Sequence, residues 1–112
     1  MITMSNPEHY FYNDLPSAER QRWIAELQRS PRESNYTPIS YAAYLHHPVT
    51  YLFCENDRGL PLEVQKMMVE KVKSQGVRVV EETCSAGHSP YLSMPDRVLE
   101  VVQGVFKHIA VV

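Results

Sequence analysis

From Pro48 onward the apolar positions of this chain switch between two periods. Val49 to Cys54 is a nearly continuous apolar run carrying Val49, Tyr51, Leu52 and Phe53. Such a run suits a strand covered on both faces of a parallel sheet, and it predicts a central strand. After a turn around Asn56 to Gly59, Pro61 suits a first helical position. Val64, Met67, Met68 and Val72 then form one helical stripe, closed by Gly76 as a C-terminal cap. Met67 and Met68 are read as core packing. Val77 to Glu82 predicts a second, shorter strand, and Glu81 and Glu82 place it near a sheet edge. A last helix begins near Pro95, with Val98, Val102, Val105, Phe106 and Ile109 at helical spacing. Strand, helix, strand and helix in this order predict an α/β unit with parallel strands joined by a right-handed crossover.

Residues 1–47 have a different texture, rich in Tyr, Asn, Ser and Pro. One helical pattern stands out, with Pro16 and Ser17 at its start and Trp23, Ile24 and Leu27 on one face. The run from Arg29 to Ser40 has no period and reads as a loop. The expected organisation is a capping segment and linker over 1–47 and a core over 48–112.

Composition narrows the function classes. The chain has 112 residues, 44% of them hydrophobic, enough for one modest domain or a piece of a larger one. Its formal charge of -2, with Lys and Arg scattered, leaves no basic stripe for nucleic acid or an acidic membrane. Without a charged start followed by an apolar stretch, or a long uncharged apolar run, no signal peptide or membrane span is expected, and the protein reads as intracellular and cytoplasmic. Cys54 and Cys84, both at strand ends, read as buried free thiols rather than a disulfide. His9, His46, His47 and His108 lack metal-ligand spacing and read as surface residues, so neither a metal nor a cofactor is expected. No glycine-rich phosphate loop is present, because all four glycines are isolated. Tyr10, Tyr12, Tyr36, Tyr41 and Tyr44 either line a substrate cap or simply pack at its boundary.

The candidate chemistry lies in two loops, Cys54-Glu55-Asn56-Asp57-Arg58-Gly59-Leu60-Pro61 and Ser85-Ala86-Gly87-His88-Ser89-Pro90, each just after a predicted strand. In parallel sheets the reactive loops gather beyond the carboxyl ends of the strands, so Asp57 and His88 can meet. A carboxylate accepting from one imidazole nitrogen fixes the ring and its tautomer, leaving the other nitrogen to take a proton. The plainer reading has Asp57 capping a turn and His88 on an ordinary loop; the shared topological position and the small, kinked surroundings of His88 favour the pair.

Those two loops resemble the acid and base motifs of the α/β-hydrolase superfamily, in its methylesterase and hydroxynitrile lyase-like branch. Phe11-Tyr12-Asn13-Asp14-Leu15-Pro16 is similar to the end of that family's cap, just before the chain re-enters the sheet. The resemblance implies a partial α/β-hydrolase fold, a β-α-β-α unit preceded by a remnant of the helical cap, with Asp57 and His88 as catalytic acid and base. A full member also carries an oxyanion-hole loop and a Gly-x-Ser-x-Gly elbow. Neither occurs in these 112 residues. The nearest pentapeptide is Gly87-His88-Ser89-Pro90-Tyr91, and Pro90 has no N–H to donate to an oxyanion, so Ser89, Ser85 and Cys84 are poor nucleophile candidates.

The expectation is therefore a truncated, esterase-like hydrolase, inactive alone, acting on a small-molecule ester if a nucleophile-bearing part completes it. Two alternatives stand beside it. One is a non-catalytic interaction module that self-associates through an exposed sheet edge, or half of a split hydrolase that pairs with an N-terminal half. The other is a small autonomous hydrolase using Ser89 or a water activated by His88.

Overall fold

A computed structural model describes residues 1–109. Short helix α1 (Pro7–Tyr10) and α2 (Ser17–Ala25) precede two single 3-10 turns, Arg32–Asn35 and Ala43–Leu45. Then come β1 (Val49–Cys54), α3 (Leu62–Ser74), β2 (Val79–Cys84), α4 (Pro90–Ser93) and α5 (Pro95–Ile109). The strands pair in parallel, from Val49 opposite Val79 to Cys54 opposite Cys84.

Alternation along β2 sets the layers. Neighbouring residues of a strand face opposite sides. Glu81 pairs with Lys73 of α3 at 2.9 Å, and Glu82 with Arg97 of α5 at 2.9 Å. The two ion pairs accordingly tie α3 and α5 to opposite sides of β2. Arg97 also donates to the Thr83 carbonyl at 3.0 Å, pinning the start of α5 to β2.

Several expectations shift. Among the described residues the only partner of β1 is β2. An apolar run reports burial on both faces; it carries no information about hydrogen-bonded neighbours on both edges. β2 starts two residues later than expected and runs through Cys84, because its register follows β1 to Cys54. The stripe on α3 is also displaced. Val64, Met67 and Met68 are exposed, and the buried positions are Gln65 and Val69. The helix is rotated by about one residue from the apolar reading, since Gln65 satisfies backbone groups that no hydrocarbon can. Pro61 is the N-cap rather than the first helical residue. Gly76, at φ 85°, sits just past the C-cap Gln75 and takes the left-handed conformation that ends the helix.

On α5, Val98 and Val105 are half-buried, whereas Leu99, Val102 and Phe106 face outward. The side chains of His108 and Ile109 lie outside the described residues. α4 was not foreseen. In the N-terminal part Trp23 and Ile24 are half-buried on α2, but Leu27 lies beyond its end. Tyr12 and Leu15 are buried, and Tyr36 and Tyr41 are exposed.

A folded monomer of 12.9 kDa exposes about 6,300 Å², whereas this chain exposes 8412 Å². Its radius of gyration is 16.0 Å, against about 13 Å for a compact domain of this length. The core itself is small, built on Cys54, Cys84 and Ala86 with Leu52 and Met94 packed against it. Among the described residues no helix is long and apolar enough to cross a membrane.

Candidate active site

The acid loop begins where β1 ends. Gln65, 1% exposed, reaches back from the first turn of α3 and clamps the last strand residue: its Oε1 accepts the Cys54 N–H at 2.9 Å, and its Nε2 donates to the carbonyls of Cys54 (3.0 Å) and Leu60 (2.7 Å). The loop between those two carbonyls is thereby closed. Within it, Asp57 Oδ1 accepts the N–H groups of Gly59 (2.8 Å) and Leu60 (2.9 Å).

The base loop is zipped to it. Glu55 N–H donates to Cys84 O (3.0 Å), Asn56 N–H to Ala86 O (3.1 Å), and Asn56 Nδ2 to Ser85 O (2.7 Å). This brings His88 Nδ1 to 3.0 Å from both Asp57 oxygens. The Asp57 side chain is 7% exposed and that of His88 37%. Asp57 therefore caps its turn and meets the imidazole with the same carboxylate; the two readings of the sequence are not alternatives. A carboxylate only accepts, so this contact places a proton on Nδ1, and in the neutral imidazole it leaves Nε2 to present its lone pair.

Two glycines permit this approach. A Cβ on Gly59 would stand 3.2 Å from His88 Nδ1 and 3.0 Å from Tyr10 O, and one on Gly87 would stand 2.3 Å from Asn13 Oδ1. That Asn13 oxygen is buried without a hydrogen-bond partner.

None of the serine or cysteine candidates hydrogen-bonds His88. Ser89 is 2% exposed and donates to the Phe11 carbonyl at 3.0 Å, Ser85 contacts Met94 Sδ at 3.5 Å, and Cys84 is buried with its sulfur 3.8 Å from that of Cys54. Both cysteines are free thiols. Burial, then the adjacent Cys84 thiol and the Asp57 and Asp14 carboxylates, push the Cys54 thiol up to about 12. Of the histidines set aside as surface residues, His9 packs edge-on to Tyr10 and His46 stacks on Tyr41.

Sequence reasoning missed the residues that frame the site. Phe11 lies flat on the His88 ring (centroids 4.9 Å, planes 9° apart), Asp14 Oδ2 accepts the Gly87 N–H at 2.8 Å, and Asn13 Nδ2 donates to Asn56 O at 3.0 Å. Their segment is singled out by resemblance, but contacts across 43 to 77 positions leave no local signal. A recess of about 440 Å³ opens beside the pair, lined by Asn13, Asp14, Asn56, Asp57 and Arg58 among others. A larger cavity of about 800 Å³ lies at the opposite ends of the strands, between Tyr44–Thr50 and Gln75–Arg78, and is remote from this chemistry.

Comparison with known proteins gives a matching ancestry. The sequence pattern described as "Alpha/beta hydrolase family" matches residues 2–101. An alpha/beta hydrolase of Aspergillus novofumigatus is 38% identical over 80 residues, which are 71% of this chain and 31% of that protein. A probable hydrolase of a Phoma species is 38% identical over 91 residues, 80% of this chain and 37% of that protein. The chain spans about a third of the length of these curated relatives. No solved structure matches significantly.

Proposed function

This chain belongs to the alpha/beta hydrolase family, and we propose that it contributes the acid and base of an ester-hydrolysing Ser-His-Asp triad, with the nucleophile supplied by a segment outside these 112 residues. The observation that carries this reading is the 3.0 Å approach of His88 Nδ1 to both oxygens of Asp57, beyond the carboxyl ends of two adjacent parallel strands. Asp57 holds the ring, and Nε2 removes the proton of a seryl hydroxyl as its oxygen attacks the ester carbonyl. The imidazolium then protonates the departing alcohol. Water enters and attacks the acyl carbon as the same nitrogen takes its proton, and the imidazolium returns that proton to the seryl oxygen as the acid leaves.

The exposed surface supports completion by another segment. The excess over a compact monomer, about 2,100 Å² on this chain alone, corresponds to an obligate-class interface. The free edge of β1 and the outward Val64, Met67, Phe106 and Leu99 belong to that surface. In this reading residues 1–47 form the end of a cap over the core of 48–112, and the two free thiols fit a reducing, cytoplasmic location. The same open edge favours a second reading, self-association into a homodimer without catalysis.

One experiment separates them. The chain alone and the chain produced together with the N-terminal two thirds of the Aspergillus relative are assayed with p-nitrophenyl acetate and a serine-directed phosphonate. Turnover and labelling only in the pair, both lost in His88→Ala and turnover reduced about 10³–10⁴-fold in Asp57→Asn, are expected. Turnover indifferent to His88→Ala refutes the catalytic reading. A dimer that no partner displaces, with no labelling, establishes the second.

A further inference from the structure

Holding an imidazole by one nitrogen leaves it a pivot. The Nδ1–H···carboxylate contact fixes one edge of the His88 ring, but the ring remains free to swing about that line, which would carry Nε2 away from any hydroxyl set to meet it. Two observations show the swing blocked by a segment 70 residues upstream. Phe11 covers one face of the ring, 9° from parallel at 4.9 Å. The loop that bears the ring is tied down on both sides of His88: Gly87 N–H to Asp14 Oδ2 (2.8 Å) and Ser89 Oγ–H to Phe11 O (3.0 Å).

The tie reaches the acid as well. Asn13 Nδ2 donates to Asn56 O, one residue before Asp57. The segment is anchored in turn by Arg20, whose guanidinium donates to the Leu15 carbonyl at 3.0 Å, and by the buried Tyr12 and Leu15 side chains. Segment Phe11–Leu15 thus spans the acid and base loops and touches both.

We propose that Phe11 and Asp14 are positioning residues for His88: Phe11 fixes the plane of the imidazole and Asp14 fixes the loop that carries it. This rests on the reading of His88 as the base, and it assigns a function to the end of the cap beyond covering a substrate. Asp14 is itself exposed, so its carboxylate is not required to fill a core.

The test reads the ring and not the reaction. In the 112-residue chain labelled with ¹⁵N-histidine, the His88 Nδ1–H proton is followed for tautomer and for exchange with water. Wild type is expected to hold one tautomer with a protected Nδ1–H. In Phe11→Leu and in Asp14→Ala that exchange rises about tenfold, the loss expected for one charge-assisted or stacking restraint, while Phe11→Tyr and Asp14→Asn, which keep the ring and the acceptor oxygen, stay at the wild-type rate. Ile39→Ala, at a 77% exposed position, changes nothing.

Unchanged exchange in Asp14→Ala overturns the proposal, as does an equal rise in the conservative variants. Should Phe11→Leu fail to fold by its amide spectrum, Asp14→Ala against Asp14→Asn decides alone. Failure here leaves the ester assay with Asp57→Asn intact as the separate test of the base itself.

Discussion

Replacing Gln65 by Met is the sharpest test of how the acid loop is held. The two side chains are close in length and volume, so packing changes little. What is lost is three hydrogen bonds, from Cys54 N–H to Oε1 and from Nε2 to the carbonyls of Cys54 and Leu60. Gln65 is 1% exposed, and a methionine admits no water to replace the carboxamide. A buried polar group stranded in this way costs about 1–3 kcal/mol. Carbonyls tolerate under-satisfaction better than N–H groups, so the three together should cost about 3–4 kcal/mol, a large share of a total margin of about 5–15 kcal/mol. Urea unfolding of the 112-residue chain, followed by the fluorescence of its one tryptophan, half-buried Trp23, measures this by linear extrapolation. The midpoint of thermal unfolding should fall by about 10–20 °C. Met67→Ala, on the exposed face of the same helix, should stay within about 0.5 kcal/mol of wild type. A loss below about 1 kcal/mol in Gln65→Met would show that the end of β1 is satisfied by other groups, and the account of the acid loop would fall with it.

Gly87→Ala should displace the base loop, since its Cβ would stand 2.3 Å from Asn13 Oδ1; a cost of about 1–3 kcal/mol and loss of the protected His88 Nδ1–H signal are expected, and a wild-type spectrum would contradict the close approach. The raised Cys54 thiol gives a pH dependence. An unfolded thiol ionises near 8.5–9 and the folded one is pushed up to about 12, so the folded state keeps its proton longer and stability is full below about pH 8, then falls as pH rises, by at most about 1.4 kcal/mol per pH unit, until the folded thiol ionises as well. Cys54→Ala should flatten that alkaline slope in urea titrations, and iodoacetamide at pH 8 should modify the native chain far more slowly than the unfolded one.

The sequence by itself determined the alternation of strands and helices, the parallel pairing it demands, and the two chemistry-bearing loops. Those features are local: an apolar run from Val49 to Cys54, a helix stop at Gly76, Asp57 and His88 each following a strand. Period and turn chemistry act over a few residues, and a few residues suffice to read them. Only tertiary structure decided which face of α3 is buried, because the residue at its centre is a glutamine that answers the backbone of Cys54 and Leu60. No hydrophobic count finds such a residue. It also decided that Met67 faces solvent and that β1 has one partner, since apolar character measures the wish for burial and not the presence of something to be buried against. The frame around His88 belongs to the same category. Phe11, Asn13 and Asp14 reach Asn56, Gly87 and His88 across 43 to 77 positions of chain, and contacts at that separation exist only once the strands have paired and brought both loops to one end of the sheet.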